Sequence, residues 1–273
     1  LRAMAERRGL TFIDIWSAMQ RNGELPEEYT FDGIHLKAAG YAVWIEKIRP
    51  YVKYAARMKR LFFALALCAA SGACMVGGDM RFYEARSDKI RFTGRAAENG
   101  DGSLSFDWSG CHFTFRFDGS RCAMRAADTG RNYYNVFVDG RLYGKATVEG
   151  ASSCVPLAEG LARGPHTVTV QKRTEAEQGR TTLYGIEADG ALLDLPPAPS
   201  RLIEFIGDSH TCGYGTEGKT VSEPFTPETE NCDLAWGCIV ARCFDADYVL
   251  TAHSGQGVVR NWGDVKQTSD VTM

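Results

Sequence analysis

The chain has 273 residues, 44% of them hydrophobic, enough for one large domain or two ordinary ones with a sizeable core. A formal charge of −3 supplies no basic field, which excludes nucleic acid as a partner. Nine cysteines include no Cys-x-x-Cys pair and no metal-ligand spacing. Their odd total excludes complete internal pairing, and some disulfides are expected if the protein is exported.

The chain begins at Leu1 without an initiator methionine, which reads as a cut end. Arg2 to Arg8 reads as a helix closed by Gly9, and Leu10 to Ile15 as a buried strand. A polar loop with Pro26 leads to Thr30-Phe-Asp-Gly-Ile-His-Leu-Lys-Ala-Ala-Gly-Tyr41. An amphipathic helix follows, with apolar residues at three- and four-residue steps until Pro50 ends it. Within this block, Asp32 and His35 sit on one tight turn. The carboxylate can accept the His35 Nδ1 proton and leave Nε2 free as a base. The alternative is an Asx-type turn capping the helix, with His35 as polar surface.

Residues 58–74 then carry Met58-Lys-Arg, the apolar run Leu61 to Ala70 and the small-residue exit Ser71-Gly-Ala-Cys74, the pattern of a secretory signal peptide. As a helix the run spans roughly 15 Å, half of a bilayer core of about 30 Å, so no stable transmembrane segment is expected. Small residues ahead of Cys74 leave lipoprotein processing open. The expected location is therefore secreted or cell-envelope. A signal peptide works only at an N-terminus, so residues 1–57 read as the end of one frame and Met58 as the start of the next. Circular permutation is the rival account.

From Phe82 the pattern changes to alternation of apolar and polar residues, as in His112-Phe-Thr-Phe-Arg-Phe117 and His166-Thr-Val-Thr-Val-Gln-Lys172. Asp139-Gly140 is a type I′ hairpin signal. The spacing predicts an antiparallel β-sandwich over residues 80–195. His112 and His166 fall at strand ends as surface or packing residues. Trp108, Tyr133 and Tyr134 are core residues or, if exposed, platforms for sugar rings. Leu195-Pro-Pro-Ala-Pro-Ser200 is a stiff linker into the last region, residues 196–273.

In that region Leu202 to Ile206 predicts a buried parallel strand ending in Gly207-Asp-Ser-His-Thr-Cys-Gly-Tyr-Gly215. Ligands bind at the carboxyl ends of such strands, so Ser209 is well placed to act. Leu234 to Phe244 predicts a helix, and Asp247 to Ala252 a second parallel strand ending in His253-Ser-Gly-Gln-Gly257. There a glycine-rich turn could point an amide into a site. His210 and His253 are the other candidate bases. His210 adjoins the serine too closely to turn back onto it, and His253 has no carboxylate at a spacing to orient it.

Ile-Gly-Asp-Ser-His-Thr with Gly-Tyr-Gly resembles the first sequence block of the SGNH (GDSL-type) hydrolases, and Phe-Asp-Gly-Ile-His-Leu with Ala-Gly-Tyr resembles their last. The resemblance implies Ser209 as nucleophile, His35 and Asp32 as its triad partners, and the amides of Ser209 and Gly255 as the oxyanion hole. In that family the histidine block follows the serine block; here it precedes it. Residues 80–273, with Glu230-Asn231 and His253-Ser-Gly-Gln-Gly-Val-Val-Arg-Asn-Trp-Gly263, resemble carbohydrate esterase family two, exported acetyl esterases of plant polysaccharides. A jelly-roll domain followed by an incomplete α/β SGNH-hydrolase domain with a parallel sheet is therefore expected. The third block, Gly-x-Asn-Asp, is absent, since Asn261 is followed by Trp262, and Met273 reads as a truncation. Four units follow: an SGNH-hydrolase C-terminal fragment (1–57), a signal-like segment (58–79), a β-sandwich (80–195) and an SGNH N-terminal part (196–273). The expected activity is removal of acetyl groups from an acetylated polysaccharide or oligosaccharide without cofactor or metal. The alternative is an inactive chain whose sandwich binds carbohydrate.

Overall fold

The structure, a computed structural model, describes residues 2–7, 9, 11–30, 33, 35–51, 79–220 and 223–272. The signal-like residues 58–78, Asp32 and Met273 lie outside the described residues.

Alternating apolar residues between Phe82 and Leu193 build two six-stranded antiparallel sheets. The first runs Ala97–Glu98, Leu104–Phe106, Thr181–Ala188, Cys122–Asp128, Ser153–Ala158, with Arg81–Glu84 also on Thr181–Ala188. The second runs Leu192–Leu193, His112–Gly119, Gly164–Lys172, Arg131–Val138, Arg141–Glu149, with Ile90–Thr93 also on His112–Gly119. Inward residues from both sheets, among them Phe113, Phe115, Phe117, Met124, Leu183 and Ile186, form one buried core. Asp139 and Gly140 have φ of 51° and 76°, the paired positive values of a type I′ turn, between the antiparallel strands Arg131–Val138 and Arg141–Glu149.

Tyr133 and Tyr134 are buried, Trp108 packs partly buried against the core, and none of the three is an open sugar platform. His166 binds Asp139 at the hairpin, 2.8 Å through Nδ1. His112 is buried and lies 2.9 Å from Asp247 Oδ1.

Leu202–Gly207 pairs in parallel with Asp247–Ala252, and helix Trp236–Cys243 packs against them through Phe205, Cys238, Ala241 and Leu250. Only part of the predicted burial is seen. Leu202 and Ile206 stay 65% and 60% exposed, because this strand has one neighbour among the described residues and it is Ile203 and Phe205 that pack toward the helix. The strand expected at 10–15 is not formed. Residues 11–14 are irregular, and Ile15 begins the short helix Trp16–Met19. Asp14 diverts this stretch from pairing: its carboxylate accepts from the backbone and hydroxyl of Ser17, at 3.0 and 2.8 Å, and starts the helix instead. Helix Ala38–Ile48 follows as expected. No helix among the described residues is long and apolar enough to cross a membrane. The seven described cysteines are all free, so the disulfides that export would make plausible are not seen among the described residues; five are buried, Cys232 and Cys238 in one shared core and Cys212 beside Glu175 and Glu230.

Phe115 is fully buried at the centre of the two-sheet core. Phe115→Ala should cost about 3–5 kcal/mol, read as a lower urea midpoint with an unchanged slope.

Candidate functional site

Ser209 opens a single helical turn, Ser209–Cys212, directly after the strand ending at Gly207. Asp208 caps it, its carboxylate accepting from the His210 backbone N–H at 3.0 Å. Gly207 admits no larger residue, since a Cβ there would lie 2.1 Å from Thr211 Oγ1. The turn is therefore held tightly against the strand, with Trp236 Nε1 donating to the same hydroxyl at 3.0 Å.

The parallel register pairs Gly207 with Ala252, and His253 N–H donates to Gly207 O at 3.1 Å. The loop carrying Ser254 and Gly255 thus leaves the sheet at the same end as Ser209. Gly255 has φ of 78°, a left-handed conformation that suits glycine.

The tail at 11–51 docks on this region. Met19, Leu36, Tyr41 and Ala235 form a buried apolar cluster, joined by Trp44 and Trp236 with ring centroids 6.1 Å apart. Tyr41 is buried, and its hydroxyl donates to His210 O at 2.8 Å. Burial pushes the Tyr41 phenol well above its usual range, so it remains a donor. Lys37 Nζ reaches Glu27 O at 3.1 Å and Lys219 O at 3.4 Å. With the tail so placed, His35 Nε2 lies 2.7 Å from Ser209 Oγ. Rings of His210 and Tyr214 flank His35 at 4.8 and 4.9 Å, and Tyr214 stacks on Phe225 at 3.7 Å.

The other histidines are engaged elsewhere. His210 Nδ1 lies 3.1 Å from Asp208 Oδ1, and this hydrogen bond foremost holds the Asp208 carboxyl below its ordinary range. His253 Nδ1 faces Ser254 O at 2.9 Å, and Nε2 lies 3.5 Å from Glu177 Oε1, a carboxylate from the β region that local spacing did not reveal. Asn261 is spent on its own loop, Oδ1 accepting from Gly257 N–H at 3.0 Å and Nδ2 donating to Val271 O at 2.7 Å.

Sequence reasoning also missed a buried polar group beneath the serine turn. Glu175, Cys212 and Glu230 bring possible ligand atoms within 4.8 Å of one another. Both Glu175 oxygens accept from Ser254, and Lys172 is fully buried close by, so this cluster already carries its own donors and cation. Burial is the largest cause that pushes Glu230 well above the ordinary carboxyl range, with the Glu175 carboxylate adding to it. Burial likewise lowers Lys172 to about 8. No local motif signals this group, since its members are far apart in the chain.

A strand-end serine with a histidine in hydrogen-bond reach is the arrangement serine-dependent hydrolases use. Residues 92–197 match the family model Carbohydrate esterase 2 N-terminal. "Cellulase/esterase CelE" of Acetivibrio thermocellus is 38% identical over 157 residues, 57% of this chain and 19% of that protein. An "Acetylxylan esterase / glucomannan deacetylase" of Cellvibrio japonicus is 31% identical over 163 residues, 59% of this chain and 44% of that protein. Among solved structures, a family two carbohydrate esterase from Clostridium thermocellum, in complex with cellohexaose, aligns at TM-score 0.62 and 35% identity. It covers 65% of this chain, which in turn covers 55% of it. One from Cellvibrio japonicus aligns at 0.63 and 26%, covering 68% and 56%. Residues 92–197 are thus similar to a carbohydrate esterase 2 N-terminal domain, and the chain resembles the family two carbohydrate esterases. It spans less than half the length of the curated relatives described here and just over half of the solved ones.

Because Glu230 keeps a proton in the folded state that the unfolded chain gives up, its contribution to stability is full below the ordinary carboxyl range. That contribution declines as pH rises toward the raised value. In urea unfolding between pH 5 and pH 7, below the Lys172 titration, wild type should lose stability and Glu230→Gln should lose less. That variant retains an acceptor for the Glu175 N–H, so the difference between the two slopes isolates the proton.

Proposed function

We propose that this chain is a serine esterase that removes acetyl groups from carbohydrate, with xylan-type plant polysaccharide as substrate. The observation that carries this reading is the 2.7 Å approach of His35 Nε2 to Ser209 Oγ. The matched esterase relatives support the class of reaction.

In this reading His35 holds its proton on Nδ1, oriented by Asp32, and accepts the Ser209 proton at Nε2. Ser209 Oγ bonds to the acetyl carbonyl carbon, and the carbonyl oxygen becomes an oxyanion facing the amides of Ser209 and Gly255. The tetrahedral intermediate then releases the sugar oxygen, which takes the proton from His35. Water attacks the acetyl-serine, gives its proton to His35, and acetate leaves as Ser209 regains a proton. His210 and His253 serve other contacts.

The division we propose places the tail of an SGNH hydrolase at 1–57, a signal-like segment at 58–79, a jelly-roll sandwich at 80–195 and the start of an SGNH domain at 196–273. Met58-Lys-Arg and the apolar run after it support export to the cell envelope or beyond.

Acetate release from acetylated xylan by the 273-residue chain is the direct test. Ser209→Ala and His35→Ala should each lower kcat by a factor on the order of 10⁶. Equal release by wild type and Ser209→Ala would sink the esterase reading, and sugar binding without release would point to a binding module.

A further inference from the structure

The chain leaves the second sheet at Lys172 and runs straight beneath the serine turn. Glu175, the third residue out, is buried. Its carboxylate accepts twice from one residue: Oε2 from the Ser254 backbone N–H at 2.8 Å, and Oε1 from the Ser254 hydroxyl at 2.7 Å. Ser254 immediately precedes Gly255.

Glu175 is itself fixed from behind. Its backbone N–H donates to Glu230 Oε2 at 3.1 Å, and its carbonyl accepts from Lys172 Nζ at 3.1 Å. Glu230 is also fully buried and follows the Tyr214–Phe225 wall in the chain. A loop residue caught by a side chain pinned in this way has little freedom to rotate its next peptide. The amide that follows Ser254 belongs to Gly255; the carbonyl of that same peptide lies 2.9 Å from His253 Nδ1, so Glu175 and His253 hold the peptide from its two sides.

We propose that Glu175, a residue of the β region, is a positioning residue for ester hydrolysis: by clamping Ser254 it aims the Gly255 amide at the developing oxyanion. This rests on the roles given above to Ser209 and Gly255. Glu175 does not touch the reacting atoms. Its effect falls on the turnover step, because an oxyanion donor acts on charge that exists only in the transition state. The β region is then part of the active site and not a separable appendage.

The test compares Glu175→Ala and Glu175→Gln with wild type in the 273-residue chain, on acetylated xylan. Glutamine keeps an oxygen for the Ser254 N–H and can donate its amide to the Ser254 hydroxyl, so it should rescue most of the loss. Glu175→Ala should lower kcat by about 10- to 100-fold with KM within about two-fold. Hydrogen exchange at the Ser254 and Gly255 amides should accelerate in the order wild type, Gln, Ala. A folded Glu175→Ala with wild-type kcat overturns the proposal, as does a loss confined to KM. So does a kcat loss with unchanged exchange at these two amides. If the alanine variant does not fold, exchange in Glu175→Gln decides: faster at Ser254 supports the clamp, unchanged refutes it. Should wild type release no more acetate than Ser209→Ala, the esterase reading fails, and the exchange measurement still decides whether Glu175 holds the loop.

Discussion

The packing of Tyr41, Trp44 and Trp236 is the contact on which the rest of this site depends. His35 and Ser209 are separated by 174 positions in the chain, and no strand or helix joins them. What brings them together is an apolar cluster built on Tyr41, Leu36 and Met19 from one side and Ala235 and Trp236 from the other. Aromatic side chains suit this task, because each buries a large area while losing few rotamers. Tyr41 adds direction: its hydroxyl binds the His210 carbonyl, so the helix is located along the serine turn as well as against it. The hydrogen bond from His35 is then a consequence of docking, made between groups already held at the right separation.

A second seam joins the β region to the serine-bearing one, and it is polar. Asn135 Nδ2 donates to Asn231 Oδ1, His112 and Thr93 both bind Asp247, and Arg173 Nε donates to Glu230 O. An unmet buried polar group in such a seam costs about 1–3 kcal/mol, so nearly all must find partners, Glu230 Oε1 being one that is left without. That requirement fixes the relative placement of the two regions more narrowly than apolar contact would. Asp247 illustrates the coupling: it begins the strand that ends in the Ser254 loop, while its carboxylate is held by two residues of the second sheet.

Much of the fold was legible because the chain uses local signals faithfully. Alternation over His112–Gly119 and Gly164–Lys172 marks strands, although His112 and Thr114 on the other face are buried as well, and Asp139-Gly140 marks its turn through positive φ. The strand leading into the Ser209 turn was equally readable, as was the matching strand at Asp247–Ala252, while the short helix Ser209–Cys212 was not. Failures occurred where tertiary or side-chain contacts overruled local pattern. Residues 11–15 have strand-like composition, yet Asp14 starts a helical turn with Ser17. Leu202 and Ile206 look like buried residues but have nothing packed on them among the described residues. The Glu175–Ser254–Glu230 network was invisible for a different reason. Each of its members is an ordinary polar residue, and only folding gives their combination meaning.

Ser209 has three histidines in its vicinity along the chain or in space, and their hydrogen bonds separate their uses. His210 is turned by its own N-capping Asp208, and the carbonyl of the same residue is taken by Tyr41, so it braces the turn from both ends. His253 points its Nδ1 at the neighbouring Ser254 carbonyl and its Nε2 toward Glu177. His35 alone among these three places a ring nitrogen at 2.7 Å from Oγ. Sequence proximity argued against His210, and His253 lacked a carboxylate at a local spacing to orient it. A base must first reach the proton it takes, however, and reach here is decided by which surface the Tyr41 helix covers.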